Sequence, residues 1–133
     1  MDIQRLTERA NDFMRAAGRL TEACEQPFTP FIRDSVIQRF EFCWELAWKI
    51  LKLRLEMVGI EAQTPRDVFQ ESLNKGLIRN GNVWSEAQRM RNLTSHTYDE
   101  KLADIVYVFL IDQGQLLFQE LAKDVATWLK EIH

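Results

Sequence analysis

The chain has 133 residues, of which 46% are hydrophobic and 28% charged, a length and balance that predict one globular domain covering residues 1–133. Glycine (5) and proline (3) are scarce, which leaves little material for the tight turns of a multi-stranded sheet and favours a few long helices. The net charge of −3 differs from the basic surplus of a generic nucleic-acid-binding protein.

The first two helices are predicted from apolar periodicity. Apolar residues recur at three- and four-residue steps through residues 2–24, which predicts an amphipathic helix that ends before Pro27. A second helix is predicted from about Ile32 to Val58, and Gly59 is a natural residue to end it. Its middle is apolar on most sides, which predicts a central helix whose aromatic side chains also suit a dimer interface. The predicted inward stripe of the first helix is Ile3, Leu6, Ala10, Phe13, Ala17, Leu20 and Cys24.

Two shorter helices are predicted next. Thr64 followed by Pro65 is a helix start, with a side-chain cap and a proline in the first turn, and this helix closes at Gly76. A fourth helix is predicted to begin near Asn82 and to continue through the residues up to Tyr98.

The last helix is predicted from about Lys101 to the C-terminus. Gly114 within it is expected to lower local stability by about 1 kcal/mol relative to alanine and to mark a close contact between helices. The five segments together predict an all-α fold, an antiparallel bundle of three long and two shorter helices. The side chains predicted to face inward from the last helix are Ile105, Val108, Phe109, Leu116, Leu117, Leu121, Val125, Trp128 and Ile132.

Three charged residues of the second helix share one face. Glu41, Glu45 and Lys49 recur at four-residue intervals, so Glu45 and Lys49 form a favourable helical pair while the two carboxylates repel each other. Two neighbouring carboxylates indicate either a metal ion or a cation from another helix as their partner. The Glu-x-x-His repeats of carboxylate-bridged metal bundles are missing, so no metal is expected, and Arg91 is the predicted partner.

The densest group of polar, chemically active side chains lies at Arg91, Asn92, Ser95, His96 and Tyr98. On an ideal helix of about 100° per residue, Asn92 and His96 point away from the side that packs on the bundle, toward water or another protein surface. Arg91 lies roughly 140° from His96, so the two converge only if the helix ends or distorts there, or if a second chain completes the site.

These side chains suit phosphoryl chemistry. A histidine acts as an acid or base near neutral pH, and an arginine stabilises the charge on a phosphate. Arg91, Asn92 and His96 together suit cleavage of RNA by its own 2′-hydroxyl, with Asn92 as the orienting group and with no metal or other cofactor. Tyr98 is suited to binding a phosphate, stacking on a base or accepting a nucleotidyl group. A histidine on a helix is most often a surface residue, so the motif alone leaves catalysis and a surface role open.

The remaining sequence features indicate a cytoplasmic protein. Cys24 and Cys43 have no metal-binding spacing and are expected to be buried, reduced thiols. The longest apolar run, residues 105–111, is far shorter than the ~20 residues of a membrane-spanning helix, and no membrane partner is expected. The start at Met1 and Asp2 lacks the basic region of a signal peptide.

Several blocks of the sequence, in the same order and spanning nearly the whole chain, are similar to one known family. On these blocks the chain resembles the HEPN superfamily, specifically the small helical proteins called nucleotidyltransferase substrate-binding proteins. The blocks are Gln38-Arg39-Phe40-Glu41, Glu45-Leu46-Ala47-Trp48-Lys49, Gly76-Leu77-Ile78, Trp84, and Arg91-Asn92-Leu93-Thr94-Ser95-His96-Thr97-Tyr98.

The resemblance implies a helical homodimer in complex with a minimal nucleotidyltransferase. The family signature Arg-x4-His-x-Tyr corresponds to Arg91, His96 and Tyr98, and in HEPN ribonucleases the arginine and histidine of two subunits form a metal-independent RNA-cleaving cleft. In the toxin–antitoxin branch the partner silences the toxin by attaching AMP to the tyrosine, here Tyr98. The rival implication is a non-catalytic subunit that presents a nucleotide or substrate, with Glu41, Glu45, Arg91 and His96 as its pocket. The third alternative is a purely structural dimer.

Overall fold

The computed structural model describes residues 3–133, so the predicted helix start at Asp2 lies outside the described residues. A 3-10 turn at Thr94–His96 follows the fourth helix, and a π-helical turn at Leu110–Gly114 joins the last two segments into one rod. The predicted all-α bundle of three long and two shorter helices is confirmed. No helix within residues 3–133 is long and apolar enough to cross a membrane. The helices are α1 (Ile3–Cys24), α2 (Pro30–Met57), α3 (Pro65–Asn74), α4 (Gly81–Leu93), α5 (Glu100–Phe109) and α6 (Gln115–Ile132).

Helix α2 is the central helix, as predicted, and packs against α1, α3 and α5. Phe40 is fully buried, and its ring centroid lies 5.9 Å from that of Phe118 in α6. Trp44 packs against Phe69 of α3 at 4.5 Å and against Trp84 of α4 at 6.4 Å. A buried phenylalanine contributes roughly 1.5–3 kcal/mol, so these rings fix α4, which carries the polar motif, against α2.

Threonine side chains begin two of the helices. The Thr64 hydroxyl accepts a hydrogen bond at 3.2 Å from a backbone amide in the first turn of α3, which confirms the predicted cap. Thr29 caps α2 in the same way at 3.0 Å, so α2 begins at Pro30, two residues before its predicted start. Gly59, with φ of 80°, follows the end of α2, as predicted.

The predicted inward stripe of the last helix is wrong at three positions. Ile105, Val108 and Leu116 are exposed, at 47%, 54% and 58%. The buried positions of the rod recur at three- and four-residue steps through the π-helical turn, so the three exposed apolar residues lie outside this buried stripe; its members are Ala103, Val106, Leu110, Gly114, Leu117, Leu121, Val125 and Trp128. The other predicted positions are buried, except for the half-buried Ile132.

Both cysteines are free thiols with raised pKa values. Burial raises the pKa of Cys43 in α2 to about 12. Burial, with a smaller effect from Glu25, raises the pKa of Cys24 to about 11. Both thiols stay protonated at neutral pH, which suits packing rather than catalysis. Cys24 is only half-buried and Ile3 is exposed, so the predicted α1 stripe is buried in its middle but not at its two ends.

Gly114 lies in the π-helical turn, where a larger residue has no space. A Cβ atom at this position would lie 2.7 Å from Leu110 Cδ2 and 2.9 Å from Phe109 Cε2. The close contact that the sequence predicted is therefore present, but it involves the preceding turn of the same rod rather than a neighbouring helix.

We expect Gly114→Ala to lower the free energy of unfolding by about 1–3 kcal/mol, because the added methyl group overpacks the turn. Gly18 is the matched control, since it lies in α1 with no atom within 4 Å of an added Cβ. Gly18→Ala is expected to raise the free energy of unfolding by up to about 1 kcal/mol, because alanine favours helix. Urea denaturation measures both, and a stabilised Gly114→Ala variant would contradict the packing described for the π-helical turn.

Candidate functional site

The polar motif lies at the end of a helix. Helix α4 ends at Leu93 and a 3-10 turn follows, so the predicted continuous helix up to Tyr98 is wrong. Hydroxyl hydrogen bonds to carbonyls three residues earlier compete with the amide bonds of a continuing helix. Such bonds run from Thr94 to the Arg91 carbonyl, from Ser95 to that of Asn92 and from Thr97 to that of Thr94.

Arg91 is held against the bundle by two side chains. Its Nη2 atom lies 3.5 Å from Glu45 Oε1, the pairing predicted from the sequence, and its Nη1 atom donates a hydrogen bond to Thr94 Oγ1 at 3.0 Å. The Arg91 Nε atom is buried and has no partner among the described residues. Glu45 also accepts a hydrogen bond at 3.0 Å from Trp48 Nε1, so this carboxylate connects Trp48 to Arg91.

His96 and Tyr98 form the exposed part of the site. His96 Nδ1 and the Tyr98 hydroxyl are 3.4 Å apart, and their rings meet edge to face with centroids 6.0 Å apart. Tyr98 is 83% exposed, so another protein can reach its hydroxyl group. Within residues 3–133 no hydrogen bond joins His96 to Arg91. Joint action of the two therefore requires a shared ligand or a second subunit.

The backbone that follows Tyr98 is fixed by acidic residues. Asp99 caps α5 by accepting hydrogen bonds from two amides of its first turn, at 2.9 and 3.4 Å. The buried Arg33 of α2 pairs with Asp104 and Glu100 of α5, at 3.0 and 3.8 Å. The hydrogen bond from Arg33 to Asp104 is the largest cause of the raised pKa of Arg33. The permanently charged Arg33 thus ties α5 to the helix that carries Glu45.

Three further predicted site residues, Glu41, Asn92 and Ser95, are half-buried or exposed. Glu41 makes no ion pair with Arg91 within residues 3–133 and lies instead at a small cleft beside Tyr98. Asn92 and Ser95 are exposed, in agreement with the helical geometry that turned Asn92 outward. The cleft is also lined by Asp34, Ile37, Gln38 and Thr97.

Lys49 lies apart from the other predicted site residues. No ion pair joins it to Glu45 in the described part of the chain, so the predicted helical pair is absent, and Lys49 lines a separate groove between α1 and α2. Two residues that contact the site, Trp48 and Thr94, were not predicted. Each lies three residues from a predicted one, and this helical spacing is the signal that identifies such contacts.

The polar atoms of the site suit an anionic ligand. Arg91 supplies a forked donor and positive charge, His96 an imidazole and Tyr98 a phenol, all at one end of α4. Among residues 3–133 there is no group of three or more histidine, cysteine or acidic side chains that could hold a metal ion.

Comparison with known proteins gives a family match. The sequence profile of the family described as "Nucleotidyltransferase substrate binding protein like" matches residues 8–128. A Haemophilus influenzae protein named "Probable ribonuclease HepT" is 40% identical over 92 residues, which cover 62% of this chain and 63% of that protein. The similarity therefore extends over less than two thirds of that relative.

Two solved structures have the same fold. A Thermus thermophilus protein of known crystal structure superposes with a TM-score of 0.73 and 30% sequence identity, over 88% of this chain and 98% of its own. A Haemophilus influenzae protein, described as revealing the fold of a substrate binding domain of a nucleotidyltransferase, superposes with a TM-score of 0.66 and 27% identity. That superposition covers 93% of this chain and 98% of the other.

Proposed function

The chain belongs to the nucleotidyltransferase substrate binding protein-like family, and from this membership we propose that it works in a two-component module with a minimal nucleotidyltransferase. In this proposal the chain is a single-domain, homodimeric, metal-independent endoribonuclease that the partner silences. The similarity to a protein named as a probable ribonuclease supports the proposed ribonuclease activity of this chain. The description of a structural neighbour as a substrate binding domain of a nucleotidyltransferase supports the pairing.

One observation carries the nuclease proposal: Arg91 is anchored by Glu45 at the helix end that also presents His96 and Tyr98. The RNA 2′-hydroxyl attacks the adjacent phosphorus, forms a cyclic phosphate and expels the 5′-oxygen. Arg91 stabilises the phosphate charge, and Asn92 orients the imidazole or the hydroxyl. His96 takes the proton from the 2′-hydroxyl or gives one to the 5′-oxygen. In a homodimer two copies of His96 are available, so one accepts while the other donates.

Tyr98 is the proposed site of silencing. The partner transfers AMP from ATP to the phenol oxygen, which forms a phosphodiester bond and releases pyrophosphate. The exposure of Tyr98 and the 3.4 Å between its hydroxyl and His96 Nδ1 support this role. An AMP group on Tyr98 adds a negatively charged phosphate beside His96. This charge repels the phosphates of RNA, as other phosphate modifications repel anions.

Co-expression tests the two-component proposal. We expect the chain alone to inhibit growth of a bacterial host and the nucleotidyltransferase to restore growth, with one AMP added to the mass of the chain. A catalytically inactive variant of the nucleotidyltransferase is the control and should restore nothing. Normal growth with abundant, folded and unmodified chain would contradict the toxin role.

The family description favours a second function, a non-catalytic subunit that presents a nucleotide or substrate to the partner. Glu41, Glu45, Arg91 and His96 then form a polar binding pocket. For this function we expect nucleotide binding without RNA cleavage. Arg91→Ala would weaken that binding about tenfold or more, because a charge-assisted hydrogen bond contributes roughly 1.5–3 kcal/mol. Unchanged affinity in a folded Arg91→Ala variant, measured by calorimetry, would count against it.

A further inference from the structure

A basic groove lies between α1 and α2, next to the site described above but outside it. Four cationic side chains and one carboxylate line it, a local charge of +3 in a chain whose net charge is −3. Charge of one sign along a concave surface concentrates ligands of the opposite sign. The groove is lined by Arg5, Arg9, Trp48, Lys49, Lys52, Leu53 and Glu56.

Three cations of the basic groove are weakly neutralised. Lys52 lies 4.0 Å from Glu56, at the outer limit of an ion pair, and such exposed pairs contribute about 0–1 kcal/mol. Lys49 lines the groove, and no ion pair joins it or Arg9 to a carboxylate within residues 3–133. The positive charge of these three side chains is therefore available to an external anion.

Trp48 connects the basic groove to the candidate site. Its half-buried ring lines the groove while its Nε1 atom donates to Glu45, the carboxylate that holds Arg91. Lys49 and Lys52 follow Glu45 along α2 by one and two helical turns, about 6 and 10 Å at 1.5 Å per residue. The basic groove is therefore adjacent to the candidate site along α2, with Glu45 in the site and Trp48 and Lys49 in the groove.

We propose that the basic groove binds the backbone of single-stranded RNA entering the site, with phosphates at Arg9, Lys49 and Lys52 and a base stacked on Trp48. An aromatic ring among cations is how proteins hold single strands without reading their sequence. Lys49 and Lys52 lie about one helical turn apart on α2 and Arg9 lies on α1, and cations on two helices match several phosphates of a chain better than one mononucleotide. The choice of RNA as the ligand rests on the nuclease function proposed above, but binding of RNA in the groove does not require that the RNA is cleaved.

RNA affinity tests the groove in a His96→Ala background, where cleavage does not consume the ligand. Fluorescence anisotropy of a labelled single-stranded RNA is measured across a salt series. We expect Lys49→Ala combined with Lys52→Ala to weaken binding roughly tenfold. The slope of log affinity against log salt should become shallower by about 1.4, since each lost phosphate contact removes about 0.7. The matched control combines Lys123→Ala with Lys130→Ala, lysines of α6 outside the groove, and should bind like its parent.

Two substitutions of Trp48 separate stacking from the hydrogen bond to Glu45. Trp48→Phe keeps an aromatic ring but loses the N–H donor, and should bind RNA within about twofold of its parent. Trp48→Leu loses the ring as well, and should bind about fivefold more weakly or worse, because base stacking on an aromatic ring stabilises single-strand complexes. Equal weakening by both would assign Trp48 a positioning role and overturn the stacking.

The outcomes distinguish the groove from the nuclease. If the two double-lysine variants bind RNA with equal affinity, or if RNA does not bind at all, the groove proposal is overturned even if the wild type cleaves RNA. Affinity that depends on Lys49 and Lys52 supports the groove even if the wild type cleaves nothing, in which case the nuclease proposal alone fails.

Discussion

His96→Ala is expected to slow RNA cleavage by about 10²–10⁴-fold, the contribution of a positioned general acid or base. The imidazole is exposed, and its hydrogen bond within the described chain is to the Tyr98 hydroxyl at a long 3.4 Å. The substitution should therefore change the free energy of unfolding by less than about 0.5 kcal/mol. Gel analysis of RNA cleavage and thermal unfolding of the same sample measure the two quantities.

His133 supplies the matched control for this substitution. It is the second histidine of the chain and is also exposed, with Nε2 3.1 Å from Thr7 Oγ1. His133→Ala loses one imidazole outside the candidate site and should cleave RNA at the wild-type rate. Equal cleavage by wild type, folded His96→Ala and His133→Ala would remove His96 from the mechanism.

Tyr98→Phe is expected to abolish silencing by the nucleotidyltransferase while leaving cleavage largely intact. The substitution removes the phenol oxygen that would accept AMP, so the mass increase and the recovery of growth should both disappear. The loss of its 3.4 Å contact with His96 is expected to slow cleavage by less than about tenfold, because an exposed hydrogen bond of that length contributes little. Intact-mass measurement and growth of the co-expressing strain test both expectations.

Tyr107 is the matched control, since it is the other of the two tyrosines in the chain. It is half-buried in α5, with its ring centroid 5.3 Å from that of Phe28. Tyr107→Phe should remain fully silenced and carry one AMP. Silencing and AMP addition that persist in Tyr98→Phe would place the modification elsewhere.

Local sequence signals predicted the helices whose ends depend on a single residue. Thr64 caps α3 because its hydroxyl group accepts a hydrogen bond within the first turn, and Gly59 follows the end of α2 because glycine adopts the left-handed backbone conformation easily. Both effects depend on the residue itself and its neighbours in sequence. The cap at Thr29 obeys the same rule but was not predicted, so α2 begins two residues before its predicted start.

Local signals failed where backbone and side-chain hydrogen bonds compete. The hydroxyl groups of Thr94, Ser95 and Thr97 turn the end of α4 into a 3-10 turn, although each residue alone is compatible with helix. The π-helical turn around Gly114 depends on the packing of Phe109 and Leu110, so apolar periodicity gave no sign of it.

For the site, charge balance predicted more than spacing did. Two carboxylates on one face of an apolar helix predicted a cation partner, and Arg91 pairs with Glu45 as predicted, whereas no ion pair joins Glu41 to Arg91 within residues 3–133. The spacing of Glu45 and Lys49 predicted a pair that is absent: the Glu45 carboxylate contacts Trp48 and Arg91 instead, and Lys49 lines the basic groove. The contact with Arg91 depends on how α4 packs against α2, which the spacing within α2 does not contain.

Cleavage of total RNA and tRNA by the purified wild-type protein in the presence of a metal chelator tests the nuclease proposal. Intact mass first establishes that Tyr98 carries no AMP. We predict that the RNA is cut under chelation and that the fragments end in a cyclic phosphate, because the 2′-hydroxyl is the nucleophile and Arg91 takes the place of a metal. Intact RNA after incubation with folded, unmodified protein would contradict the nuclease and favour the binding subunit.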